Sequence, residues 1–238
     1  MSNLLKQYNE LIQNGYTKVR LNKKPLIELR KDFTNTFNQL SKKISNKKIA
    51  NDKDIIQLYK SKHRKVWTSV YDLLKFNKRL YALSSSNDID KITKIGKIKY
   101  PYFSTKPYVR IDMPNDPNYR FHTHQDYPFN KGSLNSLVIW IPLQSTDISE
   151  GCLMVAPKSH KKKTIFKTDK NLIIQGDNKF KFVHIPCKLG ECLVFSQYLV
   201  HRSGHNTSDS IRFSVQLRVN DLCCNDYASR YFFVNKAN

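Results

Sequence analysis

In the stretch "RFHTHQDY", residues 120–127, three side chains able to bind a metal, His122, His124 and Asp126, occupy every second position. Alternate side chains on a β-strand project from one face, with Cα atoms about 6 to 7 Å apart, close enough to hold adjacent vertices of a coordination sphere. Two pairs are available: His122 with His124, giving His-x-His, or His124 with Asp126, giving His-x-Asp.

A His-x-His site of the cupin type wants a glutamate a few residues further on. Pro128 and Phe129 stand there, and no acidic residue follows until Asp147. His124 and Asp126 are therefore the better pair, with His122 a neighbour on the same face or a histidine satisfied by hydrogen bonding around the site. A 2-His-1-carboxylate set needs a second histidine from another strand and leaves three positions open for cosubstrate and dioxygen. His201, 75 residues after Asp126 at the end of the apolar run "CLVFSQYLV", is the candidate; His205, inside the turn-forming "SGHN", is its competitor.

Two textures divide the chain near residue 95. Before it, Leu26, Leu29, Phe33, Phe37, Leu40 and Ile44 recur at threes and fours, predicting one long amphipathic helix with Pro25 at its first position. A shorter helix (Leu4, Leu5, Tyr8, Leu11, Ile12) ends at "NGY", and "TKVRL" alternates like a strand. Residues 52–83, with Ile55, Tyr59, Val66, Val70, Leu73 and Leu74 behind an Asn or Asp cap, form a further helical region that ends in "SSSND". After it, "YVRIDM", "SLVIWIPL", "GCLMVAP", "FVHIP", "GECLVFS" and "SIRFSVQLRV" are short β-rich runs with no helical segment between them to make parallel crossovers. The expected architecture is mostly β: an antiparallel sandwich or jelly roll, the double-stranded β-helix, at residues 96–238, buttressed by N-terminal helices and one strand at residues 1–95, the whole forming a single domain.

With 39% hydrophobic and 12% aromatic residues the chain has ample material for a core. The first residues show no basic region followed by an apolar stretch, and "LVIWIPL" is too short to span a bilayer, so secretion and membrane insertion are not expected. Five cysteines without a C-x-x-C pair read as reduced thiols in a cytoplasm. Lys and Arg number 41 against 19 Asp and Glu, a formal +22 that suits nucleic acid, an anionic membrane surface or an anionic small substrate. The lysines are scattered over the whole length, which favours a solvated surface first and an anionic ligand second.

"HTHQDYP", "LVIWIPLQSTDISEGCLMVAPKSH" and "LGECLVFSQYLVHRSGHNTSDSIRFSVQLR", in this order and spacing, resemble the phytanoyl-CoA dioxygenase family of Fe(II)- and 2-oxoglutarate-dependent oxygenases. "LIQNGYTKVRLNKKPLIELRKDF" resembles that family's N-terminal strand and helix. The resemblance implies iron ligands at His124, Asp126 and His201. It also implies that Arg212, eleven residues after His201, grips the distal carboxylate of 2-oxoglutarate through its guanidinium fork, helped by Ser203 and by Trp140 in the cosubstrate pocket. Ser214 shares the strand face of Arg212 and is a further cosubstrate contact.

The implied enzyme is an oxidoreductase, a dioxygenase that uses O2 to decarboxylate 2-oxoglutarate to succinate and CO2 while oxidising a positioned C–H bond. Hydroxylation is the usual outcome, although the same triad serves desaturation and ring formation. Asp126 argues against halogenation, in which a small residue vacates a position for chloride. Arg110, Arg120, His160 and Arg218, on or beside the expected pocket strands, point to an anionic substrate such as a nucleotide sugar, another phosphorylated metabolite or a carboxylic acid. Lys158 stands where the family's turn usually has glycine, so the turn either shifts or aims a cation at the pocket mouth. A nucleic-acid- or protein-modifying oxygenase and a non-catalytic binding module of the same fold are the alternative readings.

Overall fold

The computed structural model describes residues 3–103, 106–116, 120–161, 163 and 165–230. Helix α1 (Asn3–Asn14) leads into β1 (Tyr16–Arg20) through Gly15, whose φ of 90° suits glycine. Helix α2 (Lys23–Ser45) begins where the Asn22 side chain accepts from the Lys24 backbone N–H, and ends at Asn46 in the left-handed conformation. Pro25 is thus the third residue of α2, not its first. Leu26, Leu29, Phe33 and Phe37 are its buried stripe, whereas Ile44 is exposed.

The helical region at 52–83 is three helices, α3 (Asp52–Lys60), α4 (Arg64–Leu74) and α5 (Lys78–Ser84). Asn51 caps α3 reciprocally with Asp54, and the Asn77 side chain accepts from Arg79 N–H to start α5. A fourth, α6 (Asn87–Ile95), begins within the "SSSND" expected to be loop, its Ile89, Ile92 and Ile95 buried at helical spacing. No described helix is long and apolar enough to cross a membrane.

Strands follow: β2 (Pro101–Phe103), β3 (Tyr108–Asp112), β4 (Ser136–Pro142), β5 (Leu153–Val155), β6 (Val183–Ile185), β7 (Glu191–Ser196), β8 (His201–Ser203) and β9 (Arg212–Asp221), with short helices α7 (Tyr127–Asn130) and α8 (Asn225–Ala228). All described pairings are antiparallel. One six-stranded sheet runs β1-β7-β4-β9-β2, with β3 also paired to β9, and a three-stranded sheet runs β6-β5-β8. This is the two-sheet arrangement expected of a double-stranded β-helix.

Strand alternation sorts the larger sheet into two functions. Ile139 and Ile141 of β4, Val194 of β7 and Phe213, Val215 and Leu217 of β9 join α2–α6 in one apolar core. Their neighbours Val138, Trp140, Leu193 and Phe195 face the smaller sheet, packing with Leu153 and Val155. On β9 the residues facing the smaller sheet are polar: Arg212, Ser214, Gln216 and Arg218 all line a cavity between the sheets. One strand therefore supplies a hydrophobic wall to the helices and a charged wall to the cavity.

Phe213 is fully buried, 6.2 Å centroid to centroid from Phe33, with the Arg30 guanidinium 3.8 Å above its ring. Phe213→Ala should cost about 3–5 kcal/mol in chemical unfolding. Ligand binding per folded molecule should stay close to wild type, because the lost ring faces the helices; an undiminished unfolding midpoint would contradict this packing.

Candidate metal centre

Residues 120–127 do not form a regular strand. His124 and His201 are bridged by two backbone hydrogen bonds of 3.0 Å, and Phe121 O accepts from Ser203 N–H at 2.9 Å. At Asp126 the backbone is already helical (φ −76°, ψ −26°), at the head of α7. The alternation expected along the whole stretch thus stops before Asp126, whose carboxylate is delivered by the start of a helical turn. The segment is tied from behind by the 157–182 connection, where Ile174 N–H donates to Thr123 O at 2.8 Å and Phe166 N–H to Gln125 Oε1 at 3.1 Å. Gln125 completes the tie by donating to Tyr198 O at 2.7 Å.

His124, Asp126 and His201 are buried, and one donor atom from each lies within 4.8 Å of the others. Each side chain has its opposite atom engaged. His124 Nδ1 donates to His122 O at 2.7 Å and His201 Nδ1 to Leu199 O at 2.9 Å, which leaves the lone pair of each Nε2 facing inward. Asp126 Oδ1 accepts from Arg218 Nε at 2.9 Å and Nη2 at 2.5 Å, while Oδ2 is buried with no hydrogen-bond donor among the described residues. Oδ2 lies 3.4 Å from His201 Nε2.

Burial, followed by the neighbouring His201, pushes His124 well below the usual imidazole range, and burial also lowers His201. Both rings are neutral at neutral pH, as metal ligation requires. Burial by itself raises Asp126, but Arg218 and the two histidines outweigh it and hold the carboxyl at about 2. Two neutral imidazoles and one ionised carboxylate converging on one point suit ferrous iron and similar divalent ions.

The centre opens onto a cavity of about 310 Å³. On its wall Arg212 lies directly across the strand pair from Asp112, and its Nη2 and Nε approach Asp112 Oδ2 at 2.9 and 3.3 Å. The guanidinium fork is therefore occupied by Asp112, not presented whole to a ligand. Its remaining nitrogen, Nη1, is buried and has no partner among the described residues, and the same is true of Ser214 Oγ. Two buried donors two residues apart on one strand face make a cradle for an anion, since an unpaired buried polar atom is costly. Ser203 and Trp140 line the same cavity, the Arg212 guanidinium carbon lying 6.0 Å from the Trp140 ring centre.

The remaining cations are placed differently from one another. Arg110 lines the cavity and pairs with Asp112 Oδ1 at 3.2 Å. Arg120 lines an adjoining depression together with His122, not the main cavity. Arg218 reaches the cavity but is bound to Asp126. Lys158 keeps the left-handed turn (φ 67°) and donates from its backbone N–H to Asn14 O; it does not line the cavity. His205 is exposed and outside the triad. Sequence reasoning missed Asp112 as the partner of Arg212, although it stood in the quoted "YVRIDM".

His122 contributes through its carbonyl, not its ring. His122→Ala should therefore leave Mn(II) affinity within a few-fold of wild type in a calorimetric titration; a loss as large as that of a ligand mutant would restore the ring to the site.

Residues 109–214 match the family model described as phytanoyl-CoA dioxygenase (PhyH), so the resemblance read from the sequence holds. The chain is 26% identical over 134 residues to the methylphosphonate hydroxylase of Gimesia maris, covering 56% of this chain and 50% of that protein. It is 29% identical over 119 residues to the peroxisomal phytanoyl-CoA dioxygenase of Bos taurus, covering 44% and 35%. The matched part thus spans half or less of the length of these curated relatives. Among solved structures, EctD from S. alaskensis with 2-oxoglutarate and 5-hydroxyectoine aligns with a TM-score of 0.66 at 16% identity, covering 93% of this chain and 77% of that one. The non-heme alpha ketoglutarate dependent carbocyclase SnoK from nogalamycin biosynthesis aligns at 0.63 and 15% identity, covering 98% and 91%. These likenesses establish the fold.

Proposed function

We propose that the protein is an Fe(II)- and 2-oxoglutarate-dependent dioxygenase that hydroxylates a C–H bond of a small anionic metabolite. The observation that carries this reading is the convergence of three buried donor atoms, each freed by a hydrogen bond on its far side, beside an anion cradle of Arg212 Nη1 and Ser214 Oγ. Iron bound here would supply activation of dioxygen coupled to decarboxylation of the keto acid to succinate and CO2. His124, Asp126 and His201 would hold it, and Arg212 with Ser214 would fix the far carboxylate of 2-oxoglutarate, with Ser203 and Trp140 shaping its pocket. Phe121, Phe129 and Leu153 supply apolar cavity wall that keeps water from the reacting carbon.

Charge supports an anionic substrate. The cavity is lined by Arg110, Arg212 and Arg218 against Asp112 and Asp126, and by Lys75, which is itself paired with Asp72. A divalent metal and the dianionic keto acid cancel each other, which leaves a positive excess for the substrate to neutralise. The cavity volume suits a small molecule better than a macromolecular segment.

Purified protein given Fe(II), ascorbate and 2-oxoglutarate should release succinate slowly, and faster with the right member of a panel of phosphonates, phosphate esters and carboxylic acids. Absence of succinate under all these conditions, with iron demonstrably bound, would overturn the enzymatic reading. Stimulation only by neutral compounds would overturn the substrate class.

A further inference from the structure

The two histidines are aimed by backbone carbonyls, but Asp126 is aimed by a cation. Arg218 places two N–H groups on Oδ1 and none on Oδ2. The arginine is itself held, with its guanidinium carbon 4.3 Å from the Tyr108 ring centre on one side and Nη2 3.3 Å from Gln216 Oε1 on the other. It projects from the long paired strand β9, three alternate positions beyond Arg212 on the same face. A carboxylate can bind a metal through one oxygen or chelate it through both, and only the first mode leaves three of six positions open.

We propose that Arg218 is a positioning residue that fixes Asp126 as a one-oxygen ligand and so holds open a coordination position for the reaction. This rests on the metal-centre reading above. Arg218 occupies Oδ1 with two charge-assisted bonds, so turning Asp126 to chelate would break both inside a buried site. Its charge also draws electron density from the carboxylate and opposes a second metal–oxygen bond. The guanidinium thus acts on the metal through Asp126, a role distinct from the substrate contact expected of it from sequence.

The test counts exchangeable waters on bound Mn(II) by proton relaxation. Wild type should show about three, the number that a facial triad leaves. Arg218→Met should show about two, with Asp126 chelating, while Arg218→Lys, which keeps a charged donor, should return towards three. An unchanged count in an Arg218→Met protein that binds Mn(II) would overturn the proposal, even if affinity fell. X-ray absorption on Mn(II)-loaded wild type needs no variant: the shorter metal–carbon distance of a chelating carboxylate would overturn it equally. Failure of wild type to bind Mn(II) would instead remove the metal centre itself.

Discussion

His201→Ala should abolish metal binding and turnover, a loss as large as any expected of a single change in this chain. His201 is almost completely buried, lies opposite Val155 in the β5–β8 pairing, and joins the 121–126 segment to the smaller sheet through its backbone. The backbone bridge does not depend on the ring, so the segment should remain docked and only the third donor be lost. The remaining pair, His124 and Asp126, cannot enclose an ion from three sides. Mn(II) affinity should therefore drop well beyond the roughly 10–100-fold that follows from changing a ligand's hydrogen-bond partner. Calorimetric Mn(II) titration and succinate release are the measurements, with circular dichroism as the control for folding. A well-folded variant that still bound Mn(II) tightly would mean that the triad is not the ligand set.

Arg212→Ala should weaken 2-oxoglutarate binding by about 10- to 150-fold, the equivalent of roughly 1.5–3 kcal/mol for a hydrogen bond to a charged group. Mn(II) affinity should hardly change, because Arg212 touches no ligand of the triad. The same change should cost about 3–5 kcal/mol of stability, since it deprives buried Asp112 of its closest partner and leaves it, among the described residues, only the Arg110 ion pair. Asp112→Asn separates the two effects: it loosens the pair but keeps Nη1, so the 2-oxoglutarate requirement should rise much less. If Arg212→Ala folded and kept its 2-oxoglutarate affinity, the cradle of Nη1 and Ser214 Oγ would have to serve another anion.

Period-two and period-three-to-four patterns made most of the elements legible in the sequence. The buried stripe of α2 and the apolar runs of β4, β7 and β9 appear where their spacing put them. What spacing could not convey was where an apolar period is cut by a cap: Ile55 and Tyr59 are followed at helical spacing by Val66, Val70 and Leu74 across the break at Ser61, and Leu80 and Leu83 resume the pattern beyond Asn77, although Asn77 itself was a readable cap signal. In the site, His124, Asp126 and His201 could be singled out by residue type. The backbone that aims Asp126 could not, because a strand and a short helical turn both deliver a side chain two residues on. The engagements of Arg212 with Asp112 and Arg218 with Asp126 depend on which residues face one another across strands and loops, information that no single segment contains.

The three candidate ligands come from two pieces of chain 75 residues apart, one of them an irregular segment that meets β8 through the His124–His201 bridge and the bond from Ser203 N–H to Phe121 O. An ion bound between them would act as a rivet as well as a reagent. Endurance would then track metal supply: free ion at a hundred times its dissociation constant adds about 2.7 kcal/mol to the folded state. Removing the ion should therefore lower the unfolding midpoint of the protein that had bound it.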